Sequence, residues 1–276
     1  MRRRWLIGLS LLLVFLLLNP RPLAQMAYRA VRETAGWLPI RLDQRWKQLE
    51  GERFRLFYQE SDEPVASGVL LDLEEARSEL AARSVSLAFP GRQVAFLYPS
   101  QAALAGALGQ SGSQTLGAYH LGKLHLLSPL AWLPGVEPQA ALIEYRSTGP
   151  VVHELVHLGL DYSVAGNTPL WFSEGLAQYW ELELNGYLWH ESGIDWQSEP
   201  FALDGIDSAF GSGREYVAYR QSLDIVQYLY GHYGYDQVNE IVLELTRGQG
   251  FYQALKSSIG VSVDQLEYAW RAALVR

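Results

Sequence analysis

Residues 153–157 read His-Glu-Leu-Val-His. On a helix, four residues turn through ~400°, which leaves the two imidazoles about 40° apart on one face, one turn from each other. Two imidazoles so placed can hold one tetrahedral zinc ion, and Glu154 beside them can take a proton from a water that the metal polarises. The pattern would arise by accident in roughly one chain in a hundred of this composition. The plain alternative is a helix whose two histidines merely stack on its surface, and a third ligand decides between the two. A histidine six residues past His157 would fall on Ser163, and the glycine that this spacing demands would fall on Leu160, so that template fails. A glutamate on the next helix is available. Glu174 lies seventeen residues past His157 in the run Pro169-Leu-Trp-Phe-Ser-Glu-Gly-Leu-Ala-Gln-Tyr-Trp-Glu181. A short turn around Gly166-Asn167 would lay the two helices side by side and return Glu174 to the histidines. Its neighbours Trp171, Phe172, Leu176 and Ala177 make surroundings in which an unpaired carboxylate is costly.

Asp161, one turn beyond His157, either orients an imidazole or faces solvent near the helix end. His120, His125, His190 and His232 show no ligand spacing and read as ordinary polar or packed residues.

The elements that must position these groups divide the chain in two. In the first half, residues 53–58 alternate in strand fashion, 94–98 form a second apolar strand candidate, and 118–127 a third extended region. Residues 69–87 between the first two show helical periodicity through Leu70, Leu73, Ala76, Leu80 and Val85. The glycine- and serine-rich stretch 106–117 reads as a flexible loop. From Ser147 onward the chain is helical. Ser147, Thr148 and Pro150 open the motif helix, and Thr168 with Pro169 opens the next. Ser212 and Glu215 form a capping box for a third helix that runs to Gly231. Asp236 starts a fourth that stops at Gly248, and Ser262 with Gln265 starts a fifth that runs to the end. Strands and helices followed by helices alone predict an α+β fold whose two parts share one cleft.

Composition narrows the function classes. Of 276 residues, 49% are hydrophobic and 19% charged, with no cysteine and a formal net charge of −8. That excludes a disordered chain, a disulfide-stapled miniprotein and any cysteine-ligated metal site. The acidic balance also argues against a nucleic-acid partner, which would need a cationic footprint. Residues 1–30 read as a signal peptide or a short membrane anchor: Arg2–Arg4 precede an apolar run over residues 5–18, too short at ~1.5 Å per residue for a ~30 Å hydrocarbon core. A small-x-small cleavage site is missing. The basic flanks favour an inside amino terminus, which would place the rest of the chain outside the cytoplasm, membrane-anchored or secreted. Residues 31–50 read as a polar connector with Trp37 and Trp46, and 51–276 as the functional domain.

The motifs together resemble the gluzincin metallopeptidases, and most closely the peptidase MA-like domains. The resemblance rests on His153-Glu154-x-x-His157 and Trp171-Phe172-x-Glu174-Gly175-Leu176-Ala177, a specific pair. It continues in Tyr219-Arg220-Gln221-Ser222, in Tyr228-Leu229-x-x-x-Tyr233-Gly234 and in Leu266-Glu267-x-x-Trp270. It implies a thermolysin-like zincin domain, with a small amino-terminal sheet packed on helices. Zn²⁺ would be held by His153, His157 and Glu174, with Glu154 as the base that attacks a peptide bond through water. An edge strand, within residues 118–127, would pair with an extended peptide or protein substrate. Charge on the carbonyl oxygen would be met by the metal and a phenol, for which Tyr219 is the candidate and Tyr216, one turn away, its rival.

Two departures from the family are informative. The Gly-x-Met-Glu-Asn signature that reads a free amino terminus is absent, so an endopeptidase is expected rather than an aminopeptidase. Gln178 stands where thermolysin-type enzymes often carry an aspartate, so another group must support the histidines. The expected function is a zinc metallopeptidase. The alternatives are a non-catalytic zinc-binding module that binds peptides or scaffolds the envelope, and a zinc hydrolase of some other bond.

Overall fold

Two-residue alternation in three apolar strands gives the sheet a buried side chain on each face. The computed structural model describes residues 20–37, 44–109, 115–190 and 193–274. The apolar run 5–18 lies outside the described residues, as do 110–114 of the expected glycine-rich loop. Helix α1 (Pro20–Trp37) is followed by strands β1 (Trp46–Glu50) and β2 (Phe54–Gln59), helix α2 (Glu63–Arg83), strand β3 (Gln93–Tyr98) and helix α3 (Gln101–Leu108). Strands β4 (Gly117–His120) and β5 (Lys123–Leu127) complete a five-stranded sheet of order β1-β2-β3-β5-β4. The inner pairs β2–β3 and β3–β5 are parallel and the outer pairs antiparallel. One face, with Phe54, Leu56, Ala95, Leu97, Leu124 and Leu126, belongs to the main core; the other collects Phe57, Phe96, Tyr98 and Leu127 with Leu104 of α3. Trp46, expected in a connector, stands in β1 edge-on to Phe96 and Tyr98.

The helices follow as α4 (Pro129–Trp132), α5 (Pro138–Thr148), α6 (Val151–Val164), α7 (Leu170–Asn185), α8 (Glu215–Tyr233), α9 (Tyr235–Thr246), α10 (Phe251–Ile259) and α11 (Val263–Leu274). The result is α+β, a small mixed sheet under a mostly helical second half. Among the described residues no helix is long and apolar enough to cross a membrane.

Several boundaries differ from the sequence reading, each for a local reason. The extended region 118–127 is a hairpin, because Leu121 (φ 45°) and Gly122 (φ 82°) form a two-residue turn with both φ positive, the type I′ geometry. Ser147 and Thr148 close α5 instead of opening α6: their hydroxyls bond back to the Glu144 carbonyl, and Pro150 takes the cap position. The capping box at Ser212 does not form, since α8 begins at Glu215 with Arg214 before it, and the helix runs past Gly231 to Tyr233. At Ser262 the box does form, with Ser262 N donating to Gln265 Oε1 at 2.8 Å and Gln265 N to Ser262 Oγ at 3.3 Å. Helix α2 starts near Pro64 and ends at Arg83, which leaves Val85 78% exposed. Helix α3 occupies the start of the expected loop. The boundary expected at residue 30 falls inside α1.

His125 is packed in the second core between Phe96 and Tyr98, with ring centroids 5.3 and 5.7 Å away, and its Nδ1 lies 2.8 Å from the Tyr98 hydroxyl. Burial, helped by His120 and Lys123, pushes its pKa down to about 4 from 6.5. The folded state thus binds fewer protons than the unfolded chain between these values, so stability is full above pH 6.5 and falls as the pH drops toward 4. A shift of this size corresponds to about 3 kcal/mol. Equilibrium unfolding at pH 7 and pH 4.5 is expected to show about 2 kcal/mol of that loss in the parent and to lack this component in His125→Phe.

Candidate metal centre

Helices α6 and α7 form an antiparallel hairpin because the chain reverses at Ala165 (φ 51°) and Gly166 (φ 75°). Asn167 ties this turn to α9 and the chain after it, donating to the carbonyls of Leu245 and Gln249, both at 2.8 Å. The amino terminus of α7 has no cap of its own. Asp207, in a short turn before α8, supplies one: its carboxylate accepts from Leu170 N at 3.1 Å and Trp171 N at 2.8 Å. An acid there also complements the helix dipole.

This hairpin brings the three candidate ligands together. Glu174 Oε2 lies 3.2 Å from His153 Nε2 and 3.5 Å from His157 Nε2. Donors ~2.0–2.1 Å from a tetrahedral zinc sit about 3.3–3.4 Å apart, so these separations suit one ion. His153, His157 and Glu174 each offer one donor atom within 4.8 Å of the others. Burial raises the pKa of the Glu174 carboxyl, but the facing imidazoles outweigh it and hold it well below the carboxylate range. Burial likewise opposes a charge on His153, and the two carboxylates beside it outweigh that and lift its pKa well above the ordinary value. Such a concentration of negative charge is what a divalent cation would meet.

The outer nitrogens of both histidines are also held. His153 Nδ1 is 3.3 Å from Glu181 Oε2, and His157 Nδ1 is 2.9 Å from Ser173 Oγ. Neither partner was singled out in the sequence. Glu181 lies two helical turns past Glu174, and that spacing was the available signal. Asp161 orients neither imidazole. It accepts from Arg32 Nη1 at 2.9 Å and from the Tyr119 hydroxyl at 2.5 Å, and it faces the protein rather than solvent. Gln178 instead ties α7 to α8, donating to the Tyr219 carbonyl at 2.9 Å.

Glu154 and Tyr219 line the same open cleft, about 480 Å³, as the three ligands. Burial raises the Glu154 pKa, and the flanking imidazoles and the Tyr119 backbone moderate the rise. Burial and the charges of Glu174 and Glu154 raise that of Tyr219, whose ring packs against Trp189 and Phe210. Tyr216 packs on Trp189 too but borders a different cavity. Strand β4 forms one wall of the cleft. It comes this close because Gly117 has no side chain: a Cβ there would stand 2.9 Å from Glu154 Cγ and from Pro150 Cβ. Tyr28 of α1 also lines the cleft, against Gly166 and, like the Tyr119 hydroxyl of β4, beside Asp161.

The sequence profile of the peptidase MA superfamily matches residues 134–276, and the chain belongs to that superfamily. Membership points to a peptidase, of a kind that is typically zinc-dependent. No curated protein matches the chain.

Two substitutions probe how the centre is held. A Cβ at Gly175 would stand 2.7 Å from Val226 Cγ2 and closer still to the Ser222 carbonyl oxygen, so α7 and α8 touch through this glycine. Gly175→Ala is expected to destabilise the fold by about 1–3 kcal/mol in denaturant titrations, through overpacking. Glu181→Gln is expected to lower zinc affinity ~10–100-fold in chelator competition. Equal affinity would remove Glu181 from the support of His153.

Proposed function

We propose that this protein is a zinc-dependent metallopeptidase, an endopeptidase that cleaves peptide or protein substrates outside the cytoplasm while attached to the membrane by its amino-terminal segment. The observation that carries the reading is the meeting of three cation donors, a buried carboxylate and a phenol in one cleft beside the edge strand β4. His153, His157 and Glu174 would hold the metal, with Glu181 and Ser173 fixing which ring nitrogens face it. Bound zinc supplies Lewis-acid charge that polarises the attacking water and the scissile carbonyl.

The remaining work falls to the chain. An extended peptide can add to the free edge of β4 by main-chain hydrogen bonds, which brings its backbone alongside Glu154. A Glu154 oxygen takes a proton from the attacking water as its hydroxyl bonds to the carbonyl carbon. That proton then passes to the leaving nitrogen as the carbon–nitrogen bond breaks. Glu154 suits both transfers, because burial makes it a stronger base than an exposed glutamate. Tyr219 keeps its proton, so it can donate a hydrogen bond to the carbonyl oxygen as negative charge gathers there.

Attachment to the membrane is supported by Arg2–Arg4 and the apolar run behind them. Of the expected connector, residues 31–37 continue α1 and 46–50 are β1. The test separates binding from chemistry. Glu154→Gln should retain one zinc per chain and cleave an unstructured protein ~10²–10⁴-fold more slowly than the parent. Equal cleavage by the two would end the peptidase reading and leave a zinc-binding module.

A further inference from the structure

Helix α1 is amphipathic the wrong way round for a helix on a protein surface. At ~100° per residue, Leu23, Ala24, Met26, Ala27, Ala30 and Val31 share one arc about 160° wide. All six are exposed, Met26 at 64% and Val31 at 56%. Thr34, the polar residue within that arc, donates its hydroxyl to the Ala30 carbonyl at 2.6 Å. The opposite face is polar and buried. Gln25 donates to the carbonyls of Val164 and Leu245 at 2.8 and 2.9 Å. Arg32 donates to the Asp161 carboxylate and carbonyl, each at 2.9 Å, and its guanidinium lies 3.9 Å from the centroid of the Tyr162 ring. A soluble surface helix turns its apolar stripe inward and its polar stripe to water. Here hydrogen bonds and an ion pair clamp the polar stripe to the peptidase domain, and the apolar stripe is presented outward.

The chain just before α1 says what that stripe meets. The apolar run 5–18 ends two residues before Pro20, so any lipid that receives the run lies at the amino-terminal end of α1. We infer that α1 lies along the membrane surface with Leu23, Met26, Ala27, Ala30 and Val31 sunk among the lipid chains, and its Gln25–Arg32 face holding the domain. This rests on the proposed membrane attachment and gives it an orientation. An interfacial helix buries its apolar face ~5–10 Å into the headgroup boundary. Tyr28, on the flank of the same helix, lines the catalytic cleft. The cleft therefore opens within about one helix diameter, ~10 Å, of the bilayer. The substrates it fits are stretches of polypeptide at the lipid surface.

The absence of cysteine makes the test direct. Single cysteines at Met26→Cys and Val31→Cys in the full chain are nitroxide-labelled in phosphatidylcholine–phosphatidylglycerol vesicles. Ile143→Cys and Tyr268→Cys, exposed on α5 and α11, serve as water-facing references. The ratio of oxygen to nickel-chelate collisions should be severalfold higher at 26 and 31 than at 143 and 268. Equal ratios in a chain that floats with the vesicles overturn the orientation and leave the attachment intact. A chain that does not float overturns both. Spin–spin broadening at position 26 without lipid contact would assign the stripe to a second copy of the chain and overturn the proposal. None of these readouts needs peptidase activity. If the parent cleaves no peptide and the labels still report lipid, the catalytic reading fails and the orientation stands.

Discussion

A carboxylate that is 9% exposed needs positive charge or donors around it, and Glu174 has two imidazoles within 3.5 Å. Much of the fold serves to hold that encounter. The turn at Ala165-Gly166 sets α7 antiparallel to α6. Asp207 satisfies the amino terminus of α7 from outside the helix, where Glu174 sits in the second turn. Gly175 lets α8 approach to backbone contact, and with α8 comes Tyr219. Removing one partner from such a buried charged group costs more than the interaction contributes, because the other is left unpaired. The donor set therefore persists as a unit.

The chemistry was legible in the sequence because it depends on short spacings. Four residues on a helix fix His153 against His157 wherever the helix lies, and a seventeen-residue return to Glu174 requires only a tight hairpin. The supporting groups were less legible. Glu181 and Ser173 act through side-chain directions that the pattern does not encode, and Asp161 pairs with Arg32, 129 residues earlier in the chain. Its role depends on where α1 docks.

Elements were legible in kind and less so in their ends. The apolar strands and the helices after Ser147 follow hydrophobic periodicity. Ser147, Thr148 and Ser212 misled because serine and threonine can bond backward to a preceding turn as readily as forward to a following one. Leu121 concealed a hairpin, since leucine is a poor indicator of a positive φ. Helix α1 was divided between an anchor and a connector because its apolar arc continues the character of the run before it, while its polar arc resembles a linker.

The groups that would carry out bond cleavage and those that would grip the substrate come from different stretches of the chain. His153, Glu154, His157, Glu174 and Tyr219 all fall within residues 134–276, the part matched by the superfamily profile. Part of the cleft wall, Thr115, Gly117–Tyr119 and Tyr28, comes from the stretch before it. Selectivity in such a molecule is free to drift while the reaction stays constant, provided Gly117 stays bare beside Glu154: substitutions at Ala118 or Tyr28 retune which sequences are accepted without replacing a cation donor. Descendants of one ancestor could thus diverge in diet without relearning hydrolysis.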